Sequence, residues 1–188
     1  MDEMKVFGLV GWSGSGKTTL LVRLLPELIG RGLTVSTMKH THHNVDIDRP
    51  GKDSYEHRHA GATEVMVTSS HRWALMHENR NDPEPPIDRL LARMSPVDLV
   101  LIEGFKSYPH QKIEVFRPAV GKPMLATDDP TVVAVASDAR LDGVGRPVID
   151  LDDVAAIADF IVGHCGLKTK SNAKAKAKAK TKVRDGAA

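Results

Sequence analysis

The sequence contains a single cysteine, Cys165, and few aromatic residues, which make up 4% of the chain. One cysteine cannot form an intramolecular disulfide, which excludes a disulfide-stabilised scaffold and favours a reducing compartment. Scarce aromatic residues argue against a surface on which sugars or single-stranded bases stack. No apolar run approaches the roughly 18–20 residues that span a bilayer, and the acidic start of the chain is unlike a signal peptide. We therefore expect a cytoplasmic protein with no membrane segment.

The positive charge of the chain is concentrated at its C-terminal end. The formal net charge is +2, yet residues 168–188 contain seven lysines and one arginine against a single acid. The rest of the chain is acidic overall, so the charge gives no argument for specific nucleic-acid binding by the folded part. Since the Lys/Ala alternation has no apolar period, we predict a folded domain over residues 1–166 and a disordered basic tail over residues 167–188. Two roles for the tail stay open, a solubilising extension and a weak docking arm for an anionic surface.

Stretches with strand and helix character alternate along the predicted domain. The predicted strands are Met4–Val10, Leu33–Lys39, Glu64–Thr68, Arg72–His77, Asp98–Glu103, Thr131–Ser137 and Val148–Leu151. The predicted helices are Lys17–Gly30, Asp53–His59, Pro86–Met94 and Val154–Val162, the last with Asp152 as its N-cap. Because strands that alternate with helices pair through crossover connections, we predict an α/β fold with a mainly parallel twisted sheet flanked by helices.

A glycine-rich segment joins the first predicted strand to the first predicted helix. Its residues, Gly11-Trp12-Ser13-Gly14-Ser15-Gly16-Lys17-Thr18, match the phosphate-loop pattern G-x-x-x-x-G-K-[ST] at every fixed position. The glycines let successive backbone N–H groups point at phosphate oxygens, the lysine reaches the terminal phosphates, and the threonine hydroxyl can ligate Mg²⁺. This pattern predicts a P-loop NTPase whose nucleotide-binding residues are Gly11, Ser13, Gly14, Ser15, Gly16, Lys17, Thr18 and Thr19.

Phosphate loops of this type work with a second acid near the metal. The apolar run from Asp98 ends in Glu103 at the C-terminal edge of the sheet, where open α/β sheets bind ligands. Glu103 is therefore the predicted metal-side acid, acting directly or through water. Asp98 opens the same strand at the opposite edge, and we predict a structural role for it.

The polar segment after the second predicted strand is expected at the same edge of the sheet. Histidines at positions 40, 42 and 43 leave two interpretations open, a structural zinc site and hydrogen bonding at a polar ligand edge. The lack of a nearby cysteine favours the second. Asp46, Asp48 and Asp53 are candidate partners of Mg²⁺ or of its waters, and Lys39, Arg49 and Lys52 are candidate anion contacts.

Several segments together resemble one known family. They are the phosphate loop with its continuation Thr-Leu, KHTHHNVDID at residues 39–48, RPGKDSY at 49–55, AGA at 60–62, RWAL at 72–75 and LIEGFK at 101–106. This set is similar to the molybdopterin-guanine dinucleotide biosynthesis protein B family, over about Met4 to Gly166. The phosphate loop alone is generic, whereas the KHTHH…DRPGKDS stretch followed by EGFK is specific.

The resemblance implies a fold, an activity and partners. It implies a P-loop domain of the class that includes dethiobiotin synthetase and nitrogenase-type ATPases, a homodimer, and a weak GTPase that binds GTP with Mg²⁺. It also implies an adapter that works with the molybdenum cofactor guanylyltransferase on molybdopterin. By similarity to dethiobiotin synthetase, Asp53 matches the acid that joins Thr18 and Glu103 around Mg²⁺, which favours it over Asp46 and Asp48. Lys17, Asp53 and Glu103 are then the residues expected to act in hydrolysis.

The residue that selects the base is less clearly marked, because the sequence has no Asn-Lys-x-Asp motif. Asp138 follows the apolar run that ends at Ser137, at a position where a base could lie. A carboxylate there could accept from the N1–H and the amino group of guanine. The same Ser-Asp pair also suits a helix or turn cap, so both interpretations stay open.

Three functions fit the phosphate loop. The favoured one is an adapter with slow GTPase activity; the others are a small-molecule kinase or ATP-dependent ligase resembling dethiobiotin synthetase, and a switch-like binding module without turnover. No arginine finger or water-orienting glutamine stands beside the loop in the sequence, which fits slow hydrolysis. An arginine such as Arg58 could still be supplied by a dimer mate.

Overall fold

The computed structural model describes residues 4–41 and 45–169. The chain divides into a larger unit, formed by Met1–His40 and Pro96–Ala188, and a smaller unit, Thr41–Ser95. In chain order the elements are β1 (Lys5–Val10), α1 (Lys17–Gly30), β2 (Val35–Lys39), α2 (Asp53–His59), β3 (Glu64–Thr68), β4 (Trp73–His77), α3 (Ile87–Leu91), β5 (Leu99–Glu103), β6 (Lys112–Phe116), β7 (Val132–Ser137), β8 (Val148–Asp150) and α4 (Val154–His164). Within the described ranges, no helix is long and apolar enough to cross a membrane.

The larger unit is built on a six-stranded sheet in the order β2-β5-β1-β6-β7-β8. Every neighbouring pair in this sheet is parallel, which confirms the predicted fold class. Strand β5 is buried at all five of its residues, as expected for a strand covered on both faces. Because all six strands run the same way, their carboxyl ends meet at one edge of the sheet.

Helices α1 and α4 pack together and cover one face of the sheet. Helix α1 places Leu20, Leu24 and Leu28 on one side at a spacing of four residues, and all three are buried. Helix α4 contributes Ile157 and Ile161 to the same core. The first residues of the predicted tail still belong to this unit, since Leu167 packs against the core and Thr169 is buried. Residues 170–188, the rest of the predicted tail, lie outside the described residues.

The main difference from the sequence prediction is strand β6, which had no predicted counterpart and lies beside β1. Two smaller predictions were wrong as well. The N-cap of α4 is Asp153, whose side chain accepts a hydrogen bond from the Ala156 N–H, and not Asp152. Helix α3 is shorter than predicted, because it spans only Ile87–Leu91.

The smaller unit contains α2, the antiparallel hairpin β3–β4 and α3. Its polar centre is Arg58 on α2, whose guanidinium contacts the carboxylates of Asp46, Asp48 and Glu78 at 2.9, 2.7 and 3.3 Å. The hydrogen bond from Arg58 lowers the pKa of Asp48 below its usual range. These three contacts occupy Arg58 within its own unit.

Gly8, in the middle of β1, allows a close approach that no larger residue permits. A Cβ atom at this position would lie 2.3 Å from Nε2 of His110 and 2.8 Å from Cβ of Lys112. We therefore expect Gly8→Ala to lower the free energy of unfolding by about 3 kcal/mol, as overpacking of a tight core does. A urea unfolding titration measures this change as a lower midpoint.

Gly30→Ala is the matched control for this prediction. Gly30 is the last residue of α1, and a Cβ there would meet no atom within 4 Å. We expect this variant to be neutral or to gain about 0.5–1 kcal/mol, since alanine favours helix more than glycine does. Equal urea midpoints for Gly8→Ala and the wild type would contradict the close packing described for β1.

Candidate functional site

The phosphate loop, residues 11–16, leaves the carboxyl end of β1 and leads directly into α1. Gly11, Gly14 and Gly16 have φ values of 144°, 81° and 97°, in the region that favours glycine. A Cβ on Gly11 would lie 2.4 Å from the carbonyl oxygen of Val115, so the loop also passes close to β6. The backbone therefore takes the tight curl that the sequence pattern requires.

The polar atoms of the loop are arranged around its interior and its mouth. The hydroxyl of Ser15 is buried and has no hydrogen-bond partner in the described part of the chain. Ser13 and Gly14 are exposed at the tip of the loop, and Thr18 and Thr19 lie on the first turn of α1. Burying a hydroxyl without a hydrogen-bond partner lowers the stability of a fold. A bound ligand rich in oxygen would supply that partner, so the loop fits such a ligand.

Lys17 extends back over the loop, where its ammonium group donates to the carbonyl oxygen of Trp12 at 3.0 Å. Burial lowers the pKa of Lys17, and the positive charges of Lys106 and Lys39 lower it further, against the opposing effect of Glu103. Three ammonium groups and one carboxylate therefore act on each other at this edge. The excess of positive charge favours binding of an anion.

Glu103, the last residue of β5, lies beside the start of α1. The Thr18 hydroxyl donates to Oε1 of Glu103 at 2.6 Å, and Nζ of Lys39 is 3.6 Å from the same oxygen. Glu103 is only 6% exposed, which makes it one of the few buried carboxylates of the larger unit. The structure thus brings together the hydroxyl and the acid that the sequence selected as metal-side groups.

Asp98 lies at the opposite edge of the sheet and has a structural role, as predicted. Its carboxylate accepts hydrogen bonds from the N–H and the hydroxyl of Thr34, both at 2.7 Å. These bonds lower the pKa of Asp98. Asp98 therefore ties the start of β5 to the start of β2.

The remaining acids of the polar segment belong to the smaller unit. Asp46 and Asp48 both pair with Arg58. Asp53 is the exposed first residue of α2 and forms no ion pair with any residue within 4–41 and 45–169. His42 and His43 lie outside the described residues, so the zinc interpretation stays untested. Among the residues that the structure describes, no three His, Cys, Asp or Glu side chains form a group suited to a metal ion.

Asp138 follows β7 at the same edge as the phosphate loop. It lines a cavity of about 340 Å³, together with Ser137, Ala139, Arg140, Leu141, Val148, Ile149 and Asp150. The cavity lies between the carboxyl ends of β7 and β8. It is large enough for a planar base, whose polar edge could face Asp138.

Arg117, directly after β6, is a site residue that the sequence did not reveal. Its Nε donates to the carbonyl oxygen of Ser15 at 3.0 Å, and its Nη1 lies 2.5 Å from Oδ2 of Asp138. This side chain joins the phosphate loop to the cavity at β7. Recognition of β6 as a strand would have placed Arg117 at the ligand-binding edge.

Comparisons with known proteins agree on one family. The sequence profile of the family described as molybdopterin guanine dinucleotide synthesis protein B matches residues 6–138. The chain is 46% identical over 160 residues to the molybdopterin-guanine dinucleotide biosynthesis adapter protein of Escherichia coli strain K12, covering 84% of this chain and 91% of that protein. It is 42% identical over 163 residues to the adapter protein of the same name from Haemophilus influenzae, covering 85% and 89%.

A solved structure gives the same result at the level of the fold. The crystal structure of molybdopterin-guanine biosynthesis protein B superposes with a TM-score of 0.67 at 30% identity. The superposition covers 84% of this chain and 98% of that one. Sequence and structure therefore point to the same relatives.

Proposed function

This chain belongs to the molybdopterin guanine dinucleotide synthesis protein B family, and on that premise we propose that it is a GTP-binding adapter with slow GTPase activity. In this role it assists the molybdenum cofactor guanylyltransferase as that enzyme converts molybdopterin into molybdopterin guanine dinucleotide. The relatives named as adapters support the pathway. The hydrogen bond of 2.6 Å between Thr18 and Glu103 is the observation that carries the nucleotide-binding part of the proposal.

The groups at this edge suit a nucleotide with bound Mg²⁺. Mg²⁺ prefers oxygen ligands in an octahedron and keeps several waters, so few side chains are needed. The Thr18 hydroxyl and the Glu103 carboxylate would supply such oxygens. Asp53 is proposed as a further ligand on the resemblance to dethiobiotin synthetase alone. Bound Mg²⁺ would neutralise charge on the terminal phosphates. Lys17 would hold those phosphates, while the backbone N–H groups of the loop orient them.

The cavity at Asp138 supports guanine as the base. An ionised carboxylate only accepts hydrogen bonds, which matches the N1–H and amino donors of guanine. Nη1 of Arg117 lies 2.5 Å from Oδ2 of Asp138, and this contact orients the carboxylate. Adenine presents an unprotonated N1 at the same position and would leave the carboxylate unpaired.

Slow hydrolysis is the expected rate for this site. Fast P-loop GTPases add an arginine finger and a residue that orients the attacking water. Arg58, the candidate finger, already contacts three carboxylates of its own unit. An adapter that holds GTP longer than it cleaves it agrees with this arrangement.

The proposal includes a homodimer in the cytoplasm, with residues 170–188 as a dispensable tail. The hairpin β3–β4 exposes Met66, Trp73 and Leu75, which the strand register places on one face. Exposed apolar side chains in one hairpin are typical of a surface that another chain covers. We assign this surface to a second copy of the chain.

Glu103→Gln tests the proposed metal side of the site. The amide keeps an oxygen that accepts from Thr18 but loses the charge that favours Mg²⁺. We expect GTP affinity in the presence of Mg²⁺ to fall about tenfold to a hundredfold, while affinity in EDTA stays unchanged. Titration calorimetry under the two conditions measures the difference.

Asp98→Asn is the control for the metal test, because Asp98 directly precedes the same strand at the opposite edge of the sheet. It should lower stability through its bonds to Thr34 and leave the effect of Mg²⁺ on GTP binding unchanged. If GTP affinity of the Glu103→Gln variant depends on Mg²⁺ as strongly as that of the wild type, Glu103 is not part of the metal site.

The adapter role is tested by reconstitution. Purified guanylyltransferase, molybdopterin, GTP and Mg²⁺ are combined with and without this protein, and molybdopterin guanine dinucleotide is measured over time. The proposal predicts a higher rate or yield with the protein present. No change, or a phosphorylated small molecule formed by this protein alone, would favour the kinase or ligase alternative.

A further inference from the structure

Two lysine ammonium groups lie near the indole ring of Trp12, the second residue of the phosphate loop. Nζ of Lys106 lies 3.9 Å from the ring centroid, and Nζ of Lys122 lies 6.0 Å from it. The indole N–H donates to the carbonyl oxygen of Pro123 at 2.7 Å, which fixes the ring. An indole face attracts a cation, but an exposed contact of this kind is weaker than a charge-assisted hydrogen bond to phosphate.

Lys106 belongs to the segment that follows Glu103, and its backbone is held firmly. The buried ammonium group of Lys112 donates to the carbonyl oxygens of Lys106 and Tyr108 at 2.9 and 2.6 Å, and it pairs with Asp129 at 3.3 Å. Phe105 has a φ of 48°, which is rare for a bulky residue, and its ring contacts that of His40 at 4.3 Å between centroids. With the backbone fixed, a change at Lys106 can involve only its exposed side chain.

Two ammonium groups contact Trp12, one at its backbone carbonyl and one at its indole ring. Lys17 binds the carbonyl oxygen of Trp12, and Lys106 covers its ring. Both ammonium groups therefore contact the same residue of the phosphate loop. An anion between two such groups relieves their repulsion, and Lys17 is the group that the motif assigns to the terminal phosphates.

We propose that Lys106 recognises the terminal phosphate of the nucleotide. Its ammonium group would leave the ring of Trp12 and bind that phosphate. The inference rests on the proposed nucleotide binding and adds a residue that distinguishes triphosphate from diphosphate. Trp12 and Lys106 also line a cavity of about 330 Å³, which leaves room for the side chain to turn. The two positions of Lys106 would give the adapter a GTP state and a GDP state that differ at its surface.

The test uses Trp12 itself as the reporter. The chain has two tryptophans, so Trp73→Phe leaves Trp12 as the single tryptophan, which is excited selectively at wavelengths that the tyrosines do not absorb. In this background, the β,γ-imido analogue of GTP with Mg²⁺ should change the emission of Trp12 more than GDP with Mg²⁺ does. Calorimetry on the same full-length protein gives the ratio of the two affinities.

Three variants separate Lys106 from its surroundings. Lys106→Met should remove the difference in emission and lower the affinity ratio about tenfold, the cost of one lost charge-assisted hydrogen bond. Lys106→Arg keeps the charge and should preserve the ratio. Lys122→Met removes the other charge near Trp12 and should leave both readouts unchanged.

The outcomes distinguish this inference from the proposed function. An unchanged affinity ratio in a folded Lys106→Met variant would overturn the inference, as would equal losses in Lys106→Met and Lys122→Met. If the wild type binds neither nucleotide, the proposed GTP binding itself fails. Circular dichroism melting curves establish that each variant is folded.

Discussion

Replacing Lys17 with alanine is expected to weaken GTP binding by about a hundredfold, or about 2.7 kcal/mol, because the phosphates lose their nearest ammonium group. Among the residues that the structure describes, the Lys17 side chain is anchored only by its hydrogen bond to the carbonyl oxygen of Trp12, so the fold should not depend on it. Calorimetric titration with GTP and Mg²⁺ measures the loss. The same variant should fail to stimulate the guanylyltransferase in the reconstituted reaction.

Lys5→Ala is the matched control for this result. Lys5 begins β1, at the edge of the sheet opposite the phosphate loop. It should bind GTP as the wild type does. If Lys17→Ala is folded and keeps full GTP affinity and turnover, the loop does not bind phosphate in the way described.

Asp138→Asn is expected to change which base is accepted. The amide keeps one acceptor and adds a donor, so it matches xanthine, which has an N1–H and an oxygen at position 2. GTP affinity should fall about a hundredfold and XTP affinity should rise, since unpaired polar groups in a pocket discriminate strongly. Competition between GTP and XTP on the variant and on the wild type gives the ratio.

Two further variants control the base experiment. Asp142→Asn alters an exposed aspartate of the same segment and should leave the ratio unchanged. Asp150→Asn alters the other aspartate that lines the cavity. If Asp138→Asn keeps full GTP affinity and gains nothing for XTP, Asp138 is a turn residue. If Asp150→Asn then changes the ratio of GTP affinity to XTP affinity, Asp150 is the residue that selects the base.

The sequence was sufficient for the parts of the site that depend on local pattern. The phosphate loop has fixed residue types because its backbone needs glycine at specific places, and Gly11, Gly14 and Gly16 indeed have positive φ. Glu103 was found because a continuous apolar strand ends there. Both features are visible in one short segment of chain.

Strand β6 could not be predicted because two of its buried residues are charged. Lys112 and Glu114 are 1% and 0% exposed. Each is satisfied by groups outside the strand. Lys112 donates to the carbonyl oxygens of Lys106 and Tyr108 and to Asp129, and Glu114 accepts from the N–H groups of Leu125 and Ala126. A pattern of apolar residues does not reveal such partners, so the strand and Arg117 after it were missed.

The acids of the polar segment show the same limit. From their spacing alone, Asp46, Asp48 and Asp53 were equally good candidates for partners of Mg²⁺, and only the resemblance to a family favoured Asp53. In the structure, Asp46 and Asp48 both form ion pairs with Arg58. The sequence around Arg58 does not indicate that its guanidinium would form ion pairs with Asp46, Asp48 and Glu78.

Titration calorimetry of the wild-type chain with GTP and with ATP, each in Mg²⁺ and in EDTA, tests the central claim most directly. The proposed site predicts that GTP binds in the presence of Mg²⁺, that EDTA weakens this binding, and that ATP binds about a hundredfold more weakly or worse. Binding of ATP as tight as that of GTP would contradict a guanine-selective adapter. An absence of binding by both nucleotides would contradict the assignment of the phosphate loop itself.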